Sequence, residues 1–123
     1  MTTHETLTPF EQAAINELLS QEPAASGLWR QAFSLRVRSR ESTGSGFYTH
    51  FEIPEGILPL SSGARKFLRN VGAHISGLKN PVGFILLIQD GVITMLEGFS
   101  YGEPWPKSIM GYEFFRYTEN RPD

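Results

Sequence analysis

The chain has 123 residues, of which 40% are hydrophobic and 20% charged, and its formal net charge at pH 7 is −2. These values are typical of one globular domain, so we expect a single domain over residues 1–123 with an ordered core over about 8–117. The lack of cysteine excludes disulfides and thiolate sites, and the acidic balance argues against a nucleic-acid partner. No secretory signal and no apolar run of roughly 20 residues are found, which predicts a cytoplasmic protein without membrane association.

Two helices are predicted at the start of the chain. In Thr8-Pro9-Phe10-Glu11 the threonine is suited to cap a helix, the proline to open it, and the glutamate to bond back to the cap. Five apolar residues follow at helical spacing and predict one buried stripe: Phe10, Ala14, Ile15, Leu18 and Leu19. We expect this helix to end near Gln21 and a second to begin at Pro23. The apolar residues of the second helix are Leu28, Trp29, Ala32 and Phe33.

A first hairpin is predicted from the alternating segments 35–41 and 47–53, which are separated by the glycine-containing loop 42–46. Pairing Glu41 with Phe47 makes the apolar faces of the two strands coincide. The same register places three arginines on one face, opposite Glu52, His50 and Tyr48: Arg36, Arg38 and Arg40. Such a row is typical of a solvated strand face, or alternatively of an anion or nucleic-acid contact.

The remaining segments predict further strands over 66–75, 82–99 and 111–117, with a loop over 54–63 and another over 98–106. Because the strands follow one another mostly through short loops, we expect a mainly antiparallel sheet of about five to six strands. The two N-terminal helices must cover one of its faces. The predicted fold class is therefore α+β, with two N-terminal helices packed on the sheet.

The segment 82–99 contains the strongest turn signal, Asp90-Gly91 between two apolar runs. A two-residue turn there pairs Phe84 with Glu97, and Glu97 then shares a face with core residues that include Ile93 and Met95. Both faces of this hairpin are apolar, so we expect helices to cover one and loops or a partner subunit to cover the other. The carboxylate of Glu97 is then either paired with loop amides or an arginine, or held with a raised pKa in a binding or proton-transfer pocket.

A candidate binding surface follows this hairpin in Tyr101-Gly102-Glu103-Pro104-Trp105-Pro106. Two prolines restrict the backbone around Trp105, and a rigid aromatic of this kind either closes a core from outside or anchors a partner. The candidate binding residues are the three polar or aromatic side chains of this loop and three that we expect nearby: Tyr101, Glu103, Trp105, Glu97, Glu41 and Tyr48. The histidines and serines form no metal-ligand or nucleophile pattern, so we predict no catalytic residue, no metal and no cofactor.

Two strings of this sequence, RESTGSGFYTHF (40–51) and LEGFSYGEPWP (96–106), resemble those of a family of small bacterial proteins of uncharacterised function. Members of that family carry RE-x-TG-x-GF-x-T-x-F and LEGF-[ST]-Y-x-E-x-WP strings, and the likeness runs from about Pro9 to Tyr112. The resemblance implies a bacterial source and a compact domain, and it implies no activity. Where families of this kind are encoded beside contact-dependent toxins, some members act as immunity proteins.

The sequence therefore predicts a non-catalytic protein-interaction or immunity-like module, whose partner is another protein or a second copy of itself in a homodimer. The alternative is a small-ligand-binding protein or an enzyme that uses Glu97 with Glu41, Tyr48 or His50. Nucleic-acid binding through the arginines ranks last, because the chain as a whole is acidic.

Overall fold

The computed structural model describes residues 6–22, 26–52 and 65–117. Two helices, α1 (Pro9–Leu19) and α2 (Ser26–Ala32), precede six strands. The strands are β1 (Val37–Ser42), β2 (Gly46–Phe51), β3 (Arg65–Ile75), β4 (Val82–Gln89), β5 (Val92–Phe99) and β6 (Tyr112–Arg116). They form one antiparallel sheet in the order β1-β2-β5-β4-β3-β6. The α+β fold with N-terminal helices is thus confirmed, and the predicted loop over 54–63 lies outside the described residues.

Helix α1 begins as predicted. Thr8 is its N-cap and accepts a hydrogen bond from the Glu11 N–H, while the Glu11 side chain accepts one from the Thr8 N–H. The predicted apolar stripe of α1 is buried. The predicted start of the second helix at Pro23 lies outside the described residues. Phe33, which was predicted to belong to the second helix, follows its last residue and is 77% exposed.

The two helices cover one face of the sheet, which we call the helix face. Its buried side chains come from five strands: Val37, Thr49, Phe51, Leu68, Val71, Ala73, Ile75, Val82, Phe84, Leu86, Ile88, Ile93 and Leu96. Helix α1 packs over β3 and β4, and α2 packs over β5. Phe84 is the largest fully buried side chain and meets Phe10 of α1 edge to face, with ring centroids 5.6 Å apart. Burial of this face is the main stabilising contribution to the fold.

The turn between β4 and β5 lies at Asp90 and Gly91, as predicted. Both residues have positive φ angles, 54° and 79°, which is the geometry that favours Asp-Gly in two-residue hairpins. Two hydrogen bonds of the Gln31 side chain connect this turn to α2. Its Nε2 donates to the Gly91 carbonyl at 2.8 Å, and its Oε1 accepts from the Ile93 N–H at 2.9 Å.

Replacing Gln31 by methionine is expected to lower the free energy of unfolding by about 1–2 kcal/mol, because a part-buried N–H and carbonyl lose their partners. Chemical denaturation measures the change. Gln21→Met is the matched control, since Gln21 makes one exposed hydrogen bond to the Arg69 carbonyl, and we expect a change within about 0.5 kcal/mol. Equal losses in the two variants would contradict the role of Gln31.

The predicted register of the β1–β2 hairpin is wrong over most of its length. Ser42 rather than Glu41 pairs with Phe47, because the loop is three residues long and Gly44 closes it with a φ of +86°. A bulge between Val37 and Ser39 absorbs the extra residue, so that Val37 pairs with Phe51. The predicted single row of arginines is therefore split. Arg40 lies on the helix face and Arg38 on the opposite one.

Candidate functional site

A second bulge decides where Glu97 lies. The first pairs beyond the turn, Gln89 with Val92 and Ile88 with Ile93, follow the simple hairpin register. The register then shifts by one residue at Thr94, so that Ile85 rather than Phe84 is opposite Glu97. The prediction that Glu97 lies among core side chains is therefore wrong. Met95 also leaves the predicted core face, whereas Leu96 enters it and is fully buried.

The face opposite the helices, which we call the open face, now has a definite composition. Cross-strand pairing places these side chains on it: Glu41, Tyr48, His50, Phe67, Ile85, Leu87, Met95, Glu97 and Phe99. Several are large and partly accessible, and Phe67 is 43% exposed. Within the described ranges, no helix or strand covers this face.

Three of the predicted site residues form one row across the open face. Glu41 on β1 pairs with Tyr48 on β2, and Tyr48 pairs with Glu97 on β5. The negative charge of Glu97, then partial burial, hydrogen bonding to Glu97 and the charge of Glu41 raise the pKa of Tyr48. Tyr48 therefore keeps its proton and acts as a hydrogen-bond donor rather than a base.

His50 and Arg38 lie next to this row on the open face, so that acidic and basic side chains occur together there. Nε2 of His50 lies 3.3 Å from Oε1 of Glu41, and the imidazole stacks beside the Tyr48 ring with centroids 6.3 Å apart. Arg38, His50, Leu87 and Met95 help to line an open cavity of about 540 Å³. Glu97 is not among its described lining residues. The expected carboxylate pocket around Glu97 is therefore not formed by this cavity.

The other three predicted residues do not join this row. Trp105 lies on the helix side, half-buried against Phe10 and Phe47 with ring centroids 6.4 and 5.2 Å away. Its backbone N–H donates to the Gly44 carbonyl at 2.8 Å. The geometry is that of an aromatic side chain closing the end of the core, which is one of the two interpretations offered by the sequence.

Glu103 is engaged in holding two loops together. Its carboxylate oxygens accept hydrogen bonds from the N–H groups of Lys79 and Asn80, both at 2.8 Å, and these bonds hold the pKa of Glu103 below its usual range. Tyr101 is 52% exposed and meets the Phe99 ring edge to face at 5.5 Å, so it borders the open face. Of the six predicted residues, four therefore lie on or beside the open face, Trp105 lies on the helix side, and Glu103 joins two loops.

Among the residues that the structure describes, the buried carboxylate is that of Glu11, for which the sequence indicated only a capping role. Glu11 is 4% exposed. It accepts hydrogen bonds from Arg40 Nε at 3.0 Å, Arg40 Nη2 at 2.7 Å and the Thr49 hydroxyl at 2.6 Å. Burial raises the pKa of Glu11, but these bonds, the Thr8 N–H and the charge of Arg40 outweigh it, so the pKa lies below its usual 4.5. The pair joins α1 to β1 and is structural.

In the part of the chain that the structure describes, no cluster of three or more His, Cys, Asp or Glu side chains is arranged to hold a metal ion. None of the helices within residues 6–22, 26–52 and 65–117 has the length and apolar character to cross a membrane. No protein-family model, curated protein or solved structure matches this chain. The resemblance to a bacterial family therefore stays a prediction based on the two motif strings.

Proposed function

We propose that this chain is a non-catalytic protein-interaction module and that the open face is its contact surface. The observation that carries the proposal is a row of large apolar side chains beside a polar row on one sheet face, which no helix or strand of residues 6–22, 26–52 and 65–117 covers. Phe67 and Tyr101 are 43% and 52% exposed, and Leu87, Met95 and Phe99 are half-buried between them and the polar row. Contiguous apolar patches of this kind mark interaction sites on soluble proteins.

The composition of the face supports protein contact over the alternative functions. Aromatic residues and methionine are enriched in protein interfaces, and polar groups at the margin supply orientation. An enzyme built on Glu97 receives less support, because the adjacent cavity is lined by other residues. Nucleic-acid binding also receives less support, since Arg40 is paired with Glu11 on the other face. An immunity role, in which a toxin is the partner, is a finer form of the same proposal.

Site-specific photo-crosslinking tests the proposal. A photoreactive phenylalanine analogue at Phe67 is expected to give discrete covalent adducts in cells that carry the protein, because a partner covers this side chain. The same analogue at Phe33 is the matched control, since Phe33 is more exposed, at 77%, but lies at the end of α2 on the helix side. We expect no discrete adduct there.

Circular dichroism of both labelled proteins checks that the fold is intact. Discrete adducts from Phe67 alone would support the proposal. An absence of adducts at Phe67, or the same adducts at Phe67 and Phe33, would overturn it.

A further inference from the structure

We infer that the partner of the open face is a second copy of this chain, related by a two-fold axis that runs along the strands between β4 and β5. This inference rests on the proposed function, because it names the partner of the same surface. Rotation about such an axis stacks two sheets face to face and exchanges their halves. Strand β5 then lies over β4 of the second copy, and β2 lies over β3.

The charges on the two halves of the open face are complementary under this rotation. The half formed by β1, β2 and β5 carries the carboxylates of Glu41 and Glu97 on either side of Tyr48, with Arg38 farther along β1. The half formed by β4, β3 and β6 carries Arg65, which pairs with Gln89, and Arg69, with Glu113 on the edge strand. The guanidinium carbon of Arg69 lies 5.6 Å from the centroid of the Phe67 ring, which places this positive charge on the open face.

The positions of the opposite charges along the strand direction also match under this rotation. Rotation about an axis parallel to the strands leaves each residue at its own level. Ile85 pairs with Glu97, and Asn70 and Arg69 form the β3 bulge beside Ile85. Arg69 of the second copy therefore comes opposite Tyr48, between the two carboxylates. A guanidinium between two carboxylates and above an aromatic ring gains both ionic hydrogen bonds and a cation–π contact.

The centre of the interface is apolar under the same rotation. Met95 pairs with Leu87 and Leu87 pairs with Phe67, so these side chains occupy one level of β5, β4 and β3. Met95 of one copy then packs on Leu87 of the other, and the reciprocal contact lies across the axis. An apolar centre with charged groups towards the margin is the arrangement found in stable protein interfaces.

The size of the face fits a dimer. Six strands spaced by about 4.8 Å give a width of about 29 Å, and about six residues along each strand give a length of about 20 Å. The face is thus close to about 600 Å² per copy as a flat projection, or about 1,200 Å² for two copies, at the lower end of standard interfaces. A partner of single charge sign would be repelled either by Glu41 and Glu97 or by Arg69, whereas a second copy brings these opposite charges together.

Sedimentation equilibrium with two charge-reversal variants tests the inference. The wild-type chain is expected to dimerise. Glu97→Lys places like charges opposite each other at both symmetric contacts, and so does Arg69→Glu, so each variant alone is expected to lose at least about tenfold in dimer association. An equimolar mixture of the two variants restores opposite charges at both contacts and is expected to recover the dimer. Arg30→Glu, an exposed change on α2, is the matched control and should dimerise like the wild type.

Circular dichroism and thermal unfolding of each variant check the fold. A wild-type chain that stays monomeric up to sub-millimolar concentration would overturn the inference, as would variants that dimerise normally or a mixture that stays monomeric. The failure of this inference is distinguishable from failure of the proposed function. A monomeric chain that still forms adducts from Phe67 with a different protein contradicts only the second copy, whereas a chain without adducts contradicts both.

Discussion

Replacing Arg40 by methionine is expected to lower the free energy of unfolding by about 3–5 kcal/mol, measured by chemical denaturation. The side chain of Glu11 is only 6% exposed, and Arg40 supplies two of its hydrogen bonds and the compensating charge. Without Arg40, the carboxylate is left in the protein interior with the neutral donors of Thr8 and Thr49. The penalty for burying an uncompensated charge is the physical reason for the large effect.

The matched control is Arg38→Met, two residues earlier on β1. Arg38 is exposed on the opposite face and lines an open cavity, so we expect a change within about 0.5 kcal/mol. A loss in Arg38→Met as large as that in Arg40→Met would show that the ion pair with Glu11 is not the cause.

The pH dependence of stability is a second check on this pair. The pKa of Glu11 is lower in the folded protein than its usual 4.5, so the folded state holds this proton less well than the unfolded state does. The contribution of Glu11 is therefore complete above the unfolded pKa and is lost as the pH falls through the folded pKa. We expect the wild-type chain to lose stability in this acidic window and Glu11→Gln to lose less. Parallel curves for the two proteins would contradict the assignment.

Replacing Gly46 by alanine is expected to cost about 2–3 kcal/mol of stability. A Cβ at position 46 would overlap the carbonyl oxygen of Gly98 and lie 3.0 Å from the Cα of Phe99. These are backbone atoms of β5, so the contact cannot be relieved by a side-chain rotation, and β2 must move away from its neighbour. Thermal or chemical unfolding measures the loss.

Gly27→Ala is the matched control for this prediction. Gly27 lies in α2, and nothing is within 4 Å of an added Cβ. Alanine is the better helix former by about 1 kcal/mol, so this variant should be slightly more stable than the wild type. If Gly46→Ala and Gly27→Ala changed stability in the same direction, the close approach of β2 and β5 would not explain the cost.

The elements that the sequence predicted well depend on residues close together in the chain. The α1 cap needs Thr8 and Glu11, three positions apart, and the β4–β5 turn needs the adjacent pair Asp90 and Gly91. Interactions between residues so close in the chain can be recognised from the sequence alone. The ion pair of Glu11 with Arg40 spans 29 positions and depends on how β1 packs under α1, so only the folded structure shows it.

Each error of register comes from one extra residue. In the β1–β2 hairpin the three-residue loop shifts the pairing until the bulge at Arg38 restores it, and in the β4–β5 hairpin the bulge at Thr94 shifts the pairing. The β4–β5 hairpin is apolar on both faces, so its hydrophobic pattern fits two registers that differ by one residue. The sequence nevertheless contained one indication of the bulged register. The simple register would bury the carboxylate of Glu97 beside Phe84, and the cost of a buried charge favours the bulged register that leaves Glu97 half-accessible.

For the candidate site, too, the sequence indicated individual residues, and only the folded structure showed how they are arranged. Glu41, Tyr48 and Glu97 were chosen from the sequence and lie in one row, but the row became visible only with the true pairing of three strands. Trp105 and Glu103 were chosen for their place in a proline-containing loop, and the structure uses them to close the core and to join two turns. Chain proximity to Glu97 did not indicate their position, because the loop that follows the end of β5 at Phe99 carries Trp105 to the helix side of the sheet.

The contact between Gln31 and Ile93 also provides a way to observe how the two layers of the molecule separate. The Ile93 amide hydrogen is held by a side chain 62 positions earlier in the chain, on α2. Its exchange with solvent deuterium therefore reports the undocking of that helix, whereas amides in the middle of β4 report the opening of the sheet itself. Faster exchange at the Ile93 amide than at the β4 amides thus indicates that α2 undocks locally, whereas equal exchange rates indicate global unfolding.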